Sequence, residues 1–238
     1  MRVGVLSDVH ANLPALAAVL ADMGAVDALW VCGDTVGYGP DPSEVIGLLV
    51  DRGATIVAGN HDRAVASGED LELFNAQAAA AARLHQAWLS VAERELLAGL
   101  PRTIELEDVT LCHGSLRDPL WEYVTTPKAA AASLTIAKTT HCCAGHTHIP
   151  SLFRADQHDR PERVRYGSPY PLAPRSFFNP GSVGQPRDGD ARAAYAVVDL
   201  PAQTVAFHRV PYPIAETQQR IRDKGLPPIF AERLSYGL

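Results

Sequence analysis

The chain has 238 residues, a formal net charge of −6, and 47% hydrophobic against 20% charged residues. That length suits one large α/β domain with a full core, and a single unit over residues 1–238 is expected. The lysines and arginines do not cluster, which argues against a nucleic-acid surface, and no apolar run approaches membrane-spanning length.

Met1-Arg2 leads straight into strand-like sequence, with no signal-peptide pattern, so a cytoplasmic protein is expected. The cysteines are Cys32, Cys112, Cys142 and Cys143, with no CxxC spacing. They read as small buried apolar residues in a reducing compartment, neither disulfide partners nor zinc ligands.

In chain order, a first strand is expected over residues 3–6. Asn12 caps the following helix, Pro14 sits in its first turn, and apolar residues recur at helical spacing until Gly24. A second strand covers 29–32, and the glycine-rich run 33–40 reads as a loop. Asp41 to Glu44 has the form of a capping box opening a helix that closes at Gly53. A third strand covers 55–57, and residues 64–100 show no strand signal. Asn75 caps a helix running to Trp88, and Ser90 with Glu93 forms a second capping box. Residues 103–106 and 109–112 flank a short turn and read as a hairpin. Pro127 opens another helix, and a further strand leads through residues 141–143. Short strands are expected within 151–178, a strand pair at 194–199 and 204–210, and a last helix over about 213–224.

Five of these strand ends run directly into Asp, His or Asn beside glycine: Ser7-Asp8-Val9-His10, Gly33-Asp34, Gly59-Asn60-His61-Asp62, His113-Gly114 and Gly145-His146-Thr147-His148. Taken singly, each is more readily a cap or a structural histidine. Taken together, they form a pattern. Of nine histidines, His10, His61, His113, His146 and His148 share this setting, while His85, His141, His158 and His208 do not and are read as structural. In an extended segment, side chains two apart point the same way, so Asp8 should converge with His10, and His146 with His148. The donors Asp8, His10, Asp34, Asn60, His113, His146 and His148 are oxygen and imidazole with no thiolate, which suits Mn²⁺, Fe²⁺ or Zn²⁺. They exceed the demand of one open catalytic metal. They suit two ions about 3.5–4 Å apart if one carboxylate bridges, and Asp34 is placed at that centre.

These motifs, in this order, resemble the set found in calcineurin-like metallophosphoesterases. The stretches 33–40, 113–115 and 179–184 resemble the small bacterial phosphodiesterase branch, and the resemblance runs from residue 3 to about residue 210. It implies an α/β (α+β) fold, a four-layer αββα sandwich of two mixed β-sheets flanked by helices. It implies one metal on Asp8, His10, Asp34 and His148, and another on Asp34, Asn60, His113 and His146, with manganese the ion expected for activity. His61 would stay off the metals and face the phosphate as an imidazolium acid. Asp62 would orient His61 by accepting its second ring proton. Hydroxide held between the two cations would attack the phosphorus of a diester, with cyclic nucleotides among the candidates.

Tyr38, Arg63, Arg117, Trp121, Tyr123 and Arg187 lie in or near the motif loops. Of these, Tyr38, Arg117 and Arg187 are the candidate substrate contacts, with surface pairing or loop packing as the alternative. The expected partner is a small phosphate ester, with neither nucleic acid nor membrane. Rival readings are a phosphomonoesterase or nucleotide pyrophosphohydrolase on the same site, and a non-catalytic scaffold of the same fold. The intact set of Asp34, Asn60, His61 and His113 argues against the scaffold.

Overall fold

A computed structural model describes residues 1–155, 164–172 and 174–238. The expected structural histidine His158 lies outside the described residues. The chain opens with β1 (Arg2–Leu6), α1 (Leu13–Met23), β2 (Ala28–Val31), α2 (Pro42–Asp51) and β3 (Thr55–Ile56). A helical stretch follows, with α3 (Asn60–Ser67), α4 (Ala76–Trp88) and α5 (Val91–Ala98). Then come β4 (Thr103–Leu106), β5 (Val109–Cys112), α6 (Pro127–Ile136), β6 (His141–Cys143), β7 (Ser151–Arg154), β8 (Pro169–Pro171) and β9 (Ser176–Asn179). The chain closes with β10 (Ala193–Asp199), β11 (Thr204–Val210), α7 (Ile214–Asp223) and α8 (Ile229–Glu232).

The strands form two mixed sheets. One has the order β3-β2-β1-β10-β11-β8, the other β4-β5-β6-β9-β7. In the first, β1, β2 and β3 run parallel while β10, β11 and β8 are antiparallel neighbours. In the second, β5, β6 and β9 are parallel and β4 and β7 antiparallel at the edges. Strands buried on both faces read as continuous apolar runs, which is why β2 carries no polar alternation; β5 is buried at every position, with Thr110 bonded to Thr139.

Three apolar layers hold the stack together. Val5, Trp30, Leu111, Phe178 and Phe207 fill the space between the sheets. Leu16, Val19, Val45 and Leu49 pack α1 and α2 onto the outer face of the first sheet. Ala130 and Leu134 of α6 pack on Phe153 and Phe177 of the second. The result is the expected αββα sandwich. The parallel strands β1, β2 and β3 of one sheet and β5 and β6 of the other end at a common edge, where ligands collect in α/β folds.

Several local expectations are corrected. Asn60 starts helix α3, so Asn60 and His61 do not lie on an extended segment. Asp41 makes no capping hydrogen bond; its carboxylate instead pairs with Arg220 at 3.0 Å and Lys224 at 3.5 Å, tying α2 to α7. The short helix α8 was not anticipated from the sequence; its four residues are held by burying Phe230 and Ala231 against Tyr38 and Ile221. No helix of the described residues is long and apolar enough to cross a membrane.

Candidate metal centre

The strand ends converge through strained backbone. Asp8, His10, Asp34, His146 and His148 have φ between 48° and 66°. The expectation that each pair converges by extended alternation is therefore corrected, because these residues turn back through the left-handed region. Non-glycine residues pay about 1–3 kcal/mol there and persist only where surroundings impose it. Here neighbouring loops impose it. Asp8 N–H donates to Gly33 O (3.0 Å), His10 N–H to Asp34 O (2.9 Å), Gly145 N–H to His113 O (2.9 Å) and Gly184 N–H to Asp8 O (2.9 Å). At Gly59 and Gly145 the loops approach so closely that a Cβ would fall onto Asp34 Oδ1 and Ser7 Oγ respectively.

Four of the site's histidine rings, all but that of His61, are locked by a backbone carbonyl. His10 Nδ1 donates to Val36 O (3.0 Å), His113 Nδ1 to Cys32 O (2.8 Å), His146 Nε2 to Trp121 O (3.1 Å) and His148 Nδ1 to Gln185 O. A carbonyl only accepts, so each ring carries its proton on that side and turns its other nitrogen inward. These four carbonyls carry no sequence signature and were not foreseen.

The inward atoms form two groups. In one, His10 Nε2 and His148 Nε2 lie 3.2 Å apart, and Asp8 Oδ1 lies 3.2 Å from His148 Nε2. In the other, His113 Nε2 lies 3.0 Å from His146 Nδ1 and 3.1 Å from Asn60 Oδ1. Asp34 Oδ2 belongs to both, at 3.6 Å from His10 Nε2 and 3.3 Å from His113 Nε2. Its Oδ1 is fixed by His61 N–H (2.9 Å), and the Asp8 carboxylate is fixed by His146 N–H. All these side chains are buried.

Inward lone pairs facing each other at hydrogen-bond distance repel unless a cation lies between them. Burial drives His10 well below its usual range, and burial together with His113 takes His146 to about 3, so both are poised as neutral donors. Burial would raise Asp34, but His113 and His61 hold it well below the usual carboxylate range. His113 differs. Burial lowers it, but Asp34 and Asp8 outweigh burial and push it up to about 10, so without a metal it would hold a proton toward Asp34. A dication would displace that proton, since a ligating imidazole must be neutral. The three clusters able to hold an ion among the described residues are Asp8-His10-His148, Asp34-His113-His146 and His10-Asp34-His61, with no cysteine in any. The donor set fits a binuclear divalent centre. The four cysteines are all buried and unpaired, and Cys32 and Cys143 meet across the two sheets with sulfurs 3.4 Å apart.

His61 and Asp62 depart from expectation. Asp62 is the third residue of α3 and turns back on the helix start, accepting from Gly59 N–H (2.9 Å) and Val36 N–H (3.2 Å). It does not orient His61, because successive helical side chains diverge by about 100°. Burial and Asp34 raise Asp62 to about 7. His61 Nδ1 has no hydrogen-bond partner among the described residues, and the ring packs between Tyr38 (4.3 Å) and Phe74 (4.7 Å). Burial takes its pKa to about 4, so its resting form at neutral pH is the neutral ring and not the expected imidazolium.

Over this centre lies a cleft lined by Asp34, Asn60, His61, His146 and His148 at its floor. Tyr38 and Arg187 form one wall, joined at 3.4 Å from Arg187 Nη2 to the Tyr38 hydroxyl. Leu73, Phe74, Trp121 and Tyr123 form another. Arg117 is absent from the lining; its Nε donates to Glu122 at 3.0 Å, so its expected substrate contact is replaced by surface pairing. Arg63 likewise pairs with Glu69. Leu73 and Phe74 were not foreseen, since they precede α4 in a stretch without a motif. His85, read as structural, is buried and holds the motif loop, accepting from Gly37 N–H (3.1 Å) and donating to Gly39 O (2.9 Å).

Residues 1–203 match the profile of the calcineurin-like phosphoesterase superfamily domain. The chain is 32% identical over 243 residues to the uncharacterised protein MJ0912 of Methanocaldococcus jannaschii, covering 99% of this chain and 98% of that one. It is similar to the crystal structure of a metallophosphoesterase from Sphaerobacter thermophilus, with 40% identity, a TM-score of 0.92 and full coverage of both chains. The hypothetical protein PH1004 of Pyrococcus horikoshii shares the fold at 21% identity and a TM-score of 0.81, over 100% of this chain and 98% of that one.

Proposed function

The chain belongs to the calcineurin-like phosphoesterase superfamily, whose members are metal-dependent hydrolases of phosphoester bonds, and from that premise we propose a phosphodiesterase working with two divalent ions. The observation that carries the two-ion reading is Asp34 Oδ2, one oxygen facing both His10 Nε2 and His113 Nε2. Asp8, His10 and His148 would hold one ion, Asn60, His113 and His146 the other, and Asp34 both. Bound there, the ions supply charge neutralisation at the phosphoryl oxygens and lower the pKa of water. Manganese is our choice for the activating ion among the Mn²⁺, Fe²⁺ and Zn²⁺ that these imidazole and oxygen donors suit.

The chain's own residues do the rest. Arg187 would bind a non-bridging phosphate oxygen, its guanidinium being aimed by Gln185 Oε1 at 3.0 Å. His61 would hydrogen-bond from a ring N–H to the leaving oxygen, stabilising the charge that develops there as the P–O bond breaks and keeping its own proton. The preference for a diester rests on charge. Arg187 is the sole Lys or Arg among the described residues lining the cleft, so beyond the charge of the bound ions the chain offers one cation, which matches a singly charged diester better than the dianion of a monoester.

The test is a chelator-stripped protein reloaded with Mn²⁺, Zn²⁺ or Fe²⁺ and assayed on bis(4-nitrophenyl) phosphate and 4-nitrophenyl phosphate. Faster turnover of the diester with Mn²⁺ is expected. A faster monoester rate with every metal would overturn the diester reading.

A further inference from the structure

One wall of the cleft offers neither a candidate metal ligand nor a cationic side chain among its described residues. Tyr123 stacks on His146 with ring centroids 3.9 Å apart and planes 25° apart, yet remains 52% exposed. One face is thus covered by the ring of His146 and much of the rest is open. Trp121 is fixed beside it. Its indole N–H donates to Asp70 Oδ2 at 3.2 Å, and its ring meets Phe74 edge-on at 5.1 Å. Leu73, 60% exposed, continues the same surface. No described residue of this wall is cationic, in contrast to Arg187 opposite. At the rim, Asn75 Oδ1 is engaged as the cap of α4 by Ala78 N–H (2.9 Å), which leaves its amide NH₂ to donate.

Exposed, pre-oriented aromatic rings beside a phosphate-sized polar floor suit a ligand that is anionic at one end and planar at the other. We propose that Leu73, Phe74, Trp121 and Tyr123 form a stacking platform for the base of a nucleoside phosphodiester, with Asn75 donating to the base edge. The proposal rests on the phosphodiesterase reading for the position of the phosphate, and names the group that phosphate carries. The platform's rigidity comes from the same loop that fixes the metal centre, because Trp121 O holds His146 Nε2 (3.1 Å).

The experiment compares two diesters with the same leaving group, thymidine 5′-(4-nitrophenyl) phosphate and ethyl 4-nitrophenyl phosphate, on the Mn²⁺-loaded protein. The scissile bond is identical, so the ratio of kcat/KM reports the retained group alone. Base-on-aromatic stacking predicts a thymidyl preference of about tenfold or more. Trp121→Ala and Tyr123→Ala should bring the ratio toward one, and Tyr123→Phe should keep it. A wild-type ratio near one, or a ratio unchanged in both alanine variants, would overturn the platform. If neither diester is cleaved, the phosphodiesterase reading fails, and equilibrium binding then judges the platform. Tighter calorimetric binding of thymidine 5′-monophosphate than of ethyl phosphate, lost in Trp121→Ala, supports it; equal affinity rejects it.

Discussion

His10 and His148, separated by 137 intervening residues, point their Nε2 atoms at each other across 3.2 Å while each Nδ1 donates to a backbone carbonyl. Neither inward nitrogen carries a proton in that arrangement, so the pair is built to share a cation. His113 Nε2 and His146 Nδ1 also face each other, at 3.0 Å, but there His113 holds a proton toward Asp34 until an ion displaces it, and Asp34 Oδ2 lies beside both pairs.

Asp34→Ala should therefore lose both ions together. Turnover should fall by more than about 100-fold, beyond the usual cost of losing a residue that only supports a ligand. Metal content per chain by plasma mass spectrometry, with circular dichroism confirming the fold, checks this. A folded variant with two ions per chain would remove Asp34 from the shared position.

His61 lies over the floor with an unpartnered Nδ1 and a neutral ring. His61→Gln should retain both ions and lose about 10²–10³-fold in kcat, the cost of one misplaced donor to developing charge. The loss should be larger for an alkyl than for an aryl leaving group, because the aryl oxide departs with little help. Equal losses on both would show that His61 stabilises charge on the phosphoryl group and gives the leaving oxygen nothing.

Arg187 is the cleft's cationic residue, and it is held by Gln185 Oε1 and close to the Tyr38 hydroxyl. A hydrogen bond to a charged group is worth about 1.5–3 kcal/mol, so Arg187→Gln should raise KM for a diester by about 10–100-fold. A fall in kcat at unchanged KM would assign the guanidinium to the transition state alone.

His85 offers a test by pH. Burial lowers its pKa to about 3, and the neutral ring bridges Gly37 N–H and Gly39 O. In the unfolded chain it titrates near 6.5, so between about pH 6.5 and 3 the unfolded state binds the extra proton. Its contribution to stability is complete above pH 6.5 and drains away as pH falls, by up to about 1.4 kcal/mol per pH unit. Denaturant titrations from pH 7 to pH 4 should show wild type losing stability more steeply than His85→Gln, whose amide can both accept and donate. Parallel slopes would mean that His85 is protonated, or free, in the folded protein.

The sequence by itself marked the candidate ligands, and the resemblance of its motifs implied the layer order. Asp8, His10, Asp34, Asn60, His113, His146 and His148 stand at strand ends marked by local apolar runs and glycines, and such runs are readable because side-chain burial repeats over a few residues. Caps at Asn12, Asn75 and Ser90 were legible for the same reason, since each bonds to a backbone N–H three residues on. What only the tertiary structure decided lies between segments distant in the chain. The left-handed turns at Asp8 and His10 exist because other loops supply their backbone partners. The proton on each imidazole is set by Val36, Cys32, Trp121 or Gln185, whose carbonyls look alike in any sequence. Asp62 caps α3 instead of turning to His61, and Arg117 pairs with Glu122 while Arg187 reaches the cleft. Local pattern fixes which atoms are available, whereas their direction depends on long-range hydrogen bonds that form only when both sheets are packed face to face.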